Sequence, residues 1–204
     1  MGFYRNYVLP RLCDFAMHNK QLAPFRERIV GAAEGRVLEI GAGSGMNLGF
    51  YRAGMRELLA LEPDQNLTRV ARKRAAEIGR PVTFIAASAE DIPLDDRSVD
   101  TVVTTWTLCS IPDALEALRE TRRVLKPEGR LLFVEHGQAP EPKVRKWQNR
   151  IDPIWSRISG GCHLNRPTAA LVEGAGFMID QIATGYISGP KTMTFMSEGR
   201  AHPF

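Results

Sequence analysis

Residues 36–45 read RVLEIGAGSG, a strand-like run that breaks into three glycines, Gly41, Gly43 and Gly45, at every second position. Bare backbone at such a break lets the chain turn tightly and come close to a ligand, because no Cβ stands in the way. Outward from it the pattern repeats. ELLALE (57–62) is a second apolar run, followed by the helical and basic LTRVARKRAAEI (67–78), and VTFIAA (82–87) is a third. VDTVVTTW (99–106) is a fourth, passing through Pro112 and Asp113, good helix-start residues, into the helix DALEALRETRRVL (113–125). KPEG (126–129) reads as a turn and RLLFVEH (130–136) as a fifth strand. Continuous apolar strands separated by helices predict an α/β fold with a doubly wound, mostly parallel sheet covered on both faces. Ligands then sit beyond the carboxyl ends of the strands.

The ends of the chain extend this pattern. An N-terminal helical stretch from Pro10 to Ala33, broken at Pro24, forms a cap over residues 1–34. Between Lys143 and Ile158, Trp147, Ile151, Ile154, Trp155 and Ile158 recur at helical spacing with Lys143, Arg145, Lys146, Arg150 and Arg157 between them. That is an amphipathic basic helix, kinked or interrupted by Pro153, within an insertion at 140–166. After GGCHLNR (160–166) and the helix TAALVEGAGF (168–177), MIDQIATGYI and KTMTFMSEGRA read as two strands with no helix between them. They predict an antiparallel hairpin that completes a seven-stranded sheet.

Bulk composition narrows the function classes. The 204 residues, 44% of them hydrophobic, suit one domain over 1–204. The net charge of +4 is spread along the chain without an aromatic-laced basic stripe, which argues against nucleic acid. No stretch reaches the ~20 apolar residues of a membrane span, and the N-terminus lacks a signal-peptide core, so a cytoplasmic location is expected. Cys13, Cys109 and Cys162 lie far apart without a C-x-x-C pair, which argues against a disulfide framework or a zinc site.

Two nucleoside cofactors exploit a strand that turns into glycines. The dinucleotide fingerprint G-x-G-x-x-G needs its third glycine one residue later than Gly45. E-x-G-x-G-x-G is instead the pattern of the class I S-adenosylmethionine methyltransferases. Glu62, about twenty residues on at the end of LALEP, suits ribose hydroxyls with either cofactor. ASAEDIPL (87–94) and VVTTWTLCSIPD (102–113) look like the adenine-lining and methionine-lining segments of those methyltransferases.

Over nearly its whole length the chain resembles the ubiquinone and menaquinone C-methyltransferase branch of that class, and more closely the alkyl-thiol methyltransferases and their bacterial relatives. The resemblance rests on VLEIGAGSGMNLGFY, WTLCSIPD, LLFVEHG and WQNRIDPIWSRISGGCHLNR. It implies S-adenosylmethionine as cofactor, S-adenosylhomocysteine as product and no metal. Glu39, Gly41, Ala42, Gly43 and Asn47 are assigned to the amino acid part of the cofactor, and Glu62 with Pro63 to the ribose. Ser88, Ala89 and Glu90 are assigned to the adenine, and Thr105 and Trp106 to the methionine and its methyl. Many relatives carry Asp where Ser88 stands, and a neutral Ser makes the weaker contact. The animal members have an N-terminal membrane anchor without a counterpart here, so their location does not transfer.

The expected acceptor is a small lipophilic molecule, first an alkyl thiol, with a quinone or phospholipid as alternative. Outside the class, an NAD-dependent oxidoreductase or a non-catalytic cofactor-binding protein remains open. A thiol is only a few per cent thiolate at neutral pH, so a base helps. His136 is the first candidate and His163 the second, each against the plainer reading of a packed strand-end or loop histidine. Cys109, Trp147, Trp155, Asn165 and Arg166 are candidates for the acceptor pocket, with core or helix packing as the competing reading. Direct methyl transfer needs no covalent enzyme intermediate, so Cys109 and Cys162 are not read as nucleophiles. The basic helix serves as a lid, as a contact with a membrane surface, or as a solvated helix packed by its apolar stripe, the last being the reading adopted.

Overall fold

The computed structural model describes residues 9–204; the first eight residues of the expected cap, and the side chain of Cys13, lie outside its described part. Seven strands form one sheet: β1 (Gly35–Ile40), β2 (Met55–Leu61), β3 (Thr83–Ile85), β4 (Val99–Thr105), β5 (Leu125–His136), β6 (Phe177–Tyr186) and β7 (Phe195–Pro203). Their order is β3-β2-β1-β4-β5-β7-β6. The first five run parallel, and β7 pairs antiparallel with both β5 and β6, which is the expected terminal hairpin. The order reverses between β1 and β4, so the crevice at their carboxyl ends is the switch point where ligands bind in open α/β sheets.

Strand periodicity splits the core in two. Leu38, Ile40, Leu59, Leu61, Val102, Leu131 and Phe133 face one apolar cluster, which Leu118 and Val124 of helix α4 (Ala114–Val124) and Val172 of α6 (Thr168–Gly174) complete. Their neighbours Val37, Leu58, Val103, Leu132 and Val134 face the other, with Ile29 of α2 (Ala23–Ile29) and Ala75 of α3 (Gln65–Glu77). Alternation of side chains across a pleated strand therefore covers both faces with the same apolar runs. Local caps start the helices: Asp64 accepts from the amides of Asn66 and Leu67 before α3, and Asp113 from the amide of Glu116 before α4.

Three local expectations change. KPEG is not a separate turn but lies within β5, where pairing slips between Val99 opposite Leu125 and Thr101 opposite Arg130. Pro24 does not break the N-terminal helix: α1 (Leu9–Met17) ends earlier, and Pro24 stands in the first turn of α2, where its missing N–H costs nothing. The segment after the glycines, residues 44–50, is mostly turn. Helix α5 (Pro142–Ile158) runs unbroken through Pro153.

The burial of α5 departs from the expected pattern. Its apolar positions Trp147 and Ile154 are 59% and 67% exposed, whereas Gln148 and Asp152 are buried. These two share the inner face with the half-buried Ile151 and Trp155 because the loops beneath present backbone groups that they bond. Gln148 Nε2 donates to the carbonyls of Gly137, Leu164 and Thr192, and its Oε1 accepts from the amide of Ala139. Asp152 accepts from the amide of Leu164 at 2.7 Å and pairs with His163 Nδ1 at 2.8 Å.

Candidate active site

Beyond the ends of β1, β2 and β4 lies a cavity of about 370 Å³, beside a smaller one of about 140 Å³. Gly41, Leu67, Trp106 and Thr107 line both. The larger cavity takes in Glu62, Pro63, Asp64, Ser88, Ala89 and Ile111 at one end and Ser110, Ser159 and Gly160 at the other. The smaller one takes in Ala42, Gly43, Asn47 and Thr105 together with Arg26 and Met17 from the N-terminal helices.

Glu62, at the end of β2, is buried and turned back onto the glycine turn. Its Oε2 accepts from the amide of Gly43 and its Oε1 from the amide of Asp64, both at 2.9 Å. Burial raises its pKa, while the two amides work against that rise. Gly41 and Gly43 adopt φ of +68° and +55°, the left-handed region that favours glycine. Trp106 holds the same region at φ 50°, an uncommon state for a bulky side chain, fixed by its amide donating to Val134 O and by Arg26 lying 4.9 Å from its ring.

Glu39 is placed differently from its expected contact. It lines neither cavity but lies fully buried behind them, accepting from Asn47 Nδ2 at 2.8 Å and Tyr51 OH at 2.9 Å. Burial pushes its pKa up to about 7, against the lowering effect of those bonds and of Arg26. Asn47 passes the arrangement on: its Nδ2 also donates to Thr105 Oγ1, and its Oδ1 accepts from Arg26 Nε at 3.0 Å. Burial pulls the Arg26 pKa down to about 10, which still leaves a cation at neutral pH.

In the loop after β3, Ser88 Oγ donates to Glu90, whose other oxygen accepts from the amide of Asp113. Glu90 thus holds the β3 loop against the start of α4 and does not line the larger cavity.

The acceptor-side candidates separate into two groups. Trp147 is on the outer face of α5, and Asn165 is bonded to Asn149. Arg166 donates to the carbonyls of Leu108 and Pro112, joining the GGCHLNR loop to the loop after β4. Trp155 is half-buried with its Nε1 unpartnered among the described residues. None of these four lines either cavity. His163 is held by Asp152, and its amide donates to Cys109 O at 2.8 Å.

Cys109 and His136 meet Cys162 instead. His136 Nε2 is 3.2 Å from Cys162 Sγ, and one ligand atom from each of Cys109, His136 and Cys162 lies within 4.8 Å of the others. Cysteines far apart in sequence therefore meet in space, because the loop after β4, the last residue of β5 and the GGCHLNR loop converge. The Cys109 side chain and burial push the Cys162 thiol up; burial lowers His136, but the bond and charge of Cys162 outweigh it and raise the imidazole.

Sequence reasoning missed Arg26, Met17, Thr107, Ile111 and the Ser159–Gly160 edge of the site. Arg26 stands beside the charged, exposed Glu27 and Arg28 in α2, with no motif around it. Its one sequence signal was helical phase: it falls four residues after the apolar Leu22 and three before Ile29.

Comparison with known proteins agrees with this geometry. The methyltransferase domain family matches residues 38–133. The rat protein named thiol S-methyltransferase TMT1B is 38% identical over 146 residues, covering 69% of this chain and 59% of its own length. A demethylmenaquinone methyltransferase of Clavibacter sepedonicus is 34% identical over 111 residues, covering 54% of this chain and 45% of its own. The match thus spans about three fifths of the rat relative's length. The solved structure of YcgJ from Bacillus subtilis superposes with a TM-score of 0.64 at 21% identity over 91% of this chain and 96% of that one, which bears on the fold alone. The chain belongs to the class I S-adenosylmethionine-dependent methyltransferases. Within that class it is similar in sequence to the thiol S-methyltransferases and to a quinone-type methyltransferase.

Proposed function

We propose that the chain is one methyltransferase domain that moves a methyl group from S-adenosylmethionine to a small lipophilic acceptor, first an alkyl thiol. The observation that carries this reading is the pair of adjoining cavities. The larger offers a carboxylate beside backbone amides, the smaller a buried cation and a glycine with open space, and Trp106 and Thr107 line both. These residues fit the cofactor. A Cβ built at Gly43 meets nothing closer than 3.9 Å, so the turn leaves a cradle that a side chain would occupy. Ser88, Ala89, Leu67 and Ile111 suit the adenine, Glu62 the ribose, and Arg26 with Asn47 and Thr105 the amino acid group.

When bound, the cofactor supplies a methyl carbon on a sulfonium, activated toward direct displacement. The chain's part is alignment, which is worth effective molarities on the order of 10⁵–10⁸ M for well-placed reactants. Trp106 and Thr107, which line both cavities, would flank the methyl group, and Ile111 gives the larger cavity an apolar wall. Arg26 would hold the amino acid group of the cofactor, and it packs 4.9 Å from the Trp106 ring. The thiol preference is supported by the similarity to the rat thiol methyltransferase and by the Cys- and His-bearing loop at the acceptor end. The free thiols of Cys109 and Cys162 agree with a reducing compartment, in line with a cytosolic location. Among the described residues no helix is long and apolar enough to cross a membrane.

A quinol acceptor is the second reading, favoured by the Clavibacter relative. The test is methyl transfer from labelled S-adenosylmethionine to a short alkyl thiol and to a quinol, with calorimetry of S-adenosylhomocysteine on the same sample. Label in a thioether is the expected result. Label only in the quinol replaces the acceptor, and failure to bind S-adenosylhomocysteine sinks the whole reading. Glu62→Ala should weaken that binding by at least about tenfold, on the order of 1.4 kcal/mol.

A further inference from the structure

Three segments distant in sequence carry Cys109, His136 and Cys162 to one point, and the backbone of each is held there. His163 N donates to Cys109 O at 2.8 Å, Ser159 Oγ to Cys162 O at 3.2 Å, and His136 sits in β5 opposite Met196 of β7, with Gln138 N donating to Arg166 O at 2.9 Å just beyond. Gly137, next to His136, has no room for a Cβ because the carbonyl of Arg166 packs directly against it. The hydrogen bonds of Gln148 and Asp152 fix the same loop from beneath. Rigid loops presenting two sulfurs and an imidazole nitrogen resemble the inner shell of a metal site more than an apolar core.

Two further observations point the same way. Among the described residues His136 Nδ1 is buried without a hydrogen-bond partner, so the protein does not hold the ring through that nitrogen, and Nε2 is the one aimed at the sulfurs. A pair of sulfurs and one nitrogen is the soft donor set that selects zinc-like cations over magnesium or calcium. Zinc–sulfur and zinc–nitrogen bonds of about 2.3 and 2.0–2.1 Å in a tetrahedron set ligand edges of about 3.5–3.8 Å. The observed 3.2 Å between His136 and Cys162 is near that, and the 4.8 Å outer limit closes with adjustments of under about 1 Å in the side chains.

We propose that Cys109, His136 and Cys162 form a three-ligand site for a soft divalent cation such as zinc, with the fourth position open to the acceptor thiol. The proposal rests on the thiol reading above for its fourth ligand, but not for its first three. Three protein ligands with an open position is the arrangement of catalytic rather than structural zinc. The neighbours of the cysteines, Ser110, Ser159 and Gly160, line the acceptor end of the larger cavity, so the cluster borders the space where an acceptor would lie. An acceptor thiol that coordinates there loses its proton to solvent and stays a thiolate at neutral pH. Its sulfur electron pair then forms the new bond to the methyl carbon as the carbon–sulfonium bond breaks, and the neutral thioether product is a weak ligand that departs. The cluster thereby does the work expected of a base, and His136 acts as a ligand.

The experiment is a Co²⁺ titration of the metal-stripped protein, alongside zinc analysis of untagged protein purified without chelator. The expected result is one metal per chain, thiolate charge-transfer bands in the near ultraviolet, tetrahedral bands in the visible, and a shift of those bands when an alkyl thiol is added. Cys162→Ser should weaken Co²⁺ by at least about tenfold while leaving S-adenosylhomocysteine affinity unchanged, which a general folding defect would not do. His136→Gln is the second variant and should remove nitrogen ligation while keeping a thiolate band. Co²⁺ without thiolate bands, or undiminished thiol methylation by protein verified to be metal-free, would overturn the site. Normal bands that no thiol perturbs, with no thioether formed, would overturn the thiol at the fourth position and the acceptor reading with it, leaving the three-ligand site standing.

Discussion

A Cβ at Gly41 would overlap the side chain of Thr107, whereas one at Gly43 would enter open space. Both glycines share a left-handed backbone that costs an L-residue about 1–2 kcal/mol. Gly41→Ala should therefore act mainly on folding, lowering the melting temperature before any cofactor is present. Gly43→Ala should keep most of the stability yet lose at least about tenfold in S-adenosylhomocysteine affinity, because its methyl fills the cradle; calorimetry beside thermal melts separates the two. Equal loss of stability in both would remove the distinction. Arg26→Met tests the other end of the site: its loss leaves Asn47 Oδ1 and Met17 O without their donor and the cofactor end without its cation. Weaker binding of S-adenosylhomocysteine, with a smaller effect on adenosine alone, is expected from titrations of the two ligands.

At the scale of one element, α5 is the most instructive. Its apolar residues fall at helical spacing, and spacing alone assigns them to the buried face; yet Gln148 and Asp152 occupy it. Polar burial is favourable here because each buried side chain replaces a hydrogen bond that loop backbone lost on leaving water. Gln148→Leu removes partners from Ala139 N and from the carbonyls of Gly137 and Leu164. At about 1–3 kcal/mol for each stranded group, a loss of about 3 kcal/mol or more is expected in denaturant unfolding. A Gln148→Leu protein as stable as the wild type would mean that water replaces those contacts. The helices α3 and α4 were legible because their signals are local: an aspartate caps each first turn, and the following residues carry a helical period.

Over the whole molecule, the fully buried Glu39 links folding to pH. Its pKa rises from the ordinary 4.5 to about 7, so the folded chain holds a proton that the unfolded chain releases between those values. The stabilisation from that proton is complete below about pH 4.5 and disappears as the pH rises through about 7, with a slope of at most about 1.4 kcal/mol per pH unit. Glu39→Gln lacks this dependence. Melting curves from pH 5 to 8 should converge or cross for the two proteins, the wild type losing stability relative to the variant as pH rises. Parallel curves would place the Glu39 carboxylate outside this linkage.

The parallel strands, the glycine turn after β1 and the carboxylate after β2 were determined by sequence alone, because period, propensity and short-range spacing are properties of neighbouring residues. The switch point between β1 and β4 belongs to the spatial order of the strands, which their alternation with helices along the chain does not fix. Only the tertiary structure decided that Arg26 reaches the smaller cavity, that Glu39 stands behind Asn47, and that Cys109, His136 and Cys162 converge. Such contacts depend on where separate loops end once the sheet is packed, and nothing in the linear spacing encodes that distance.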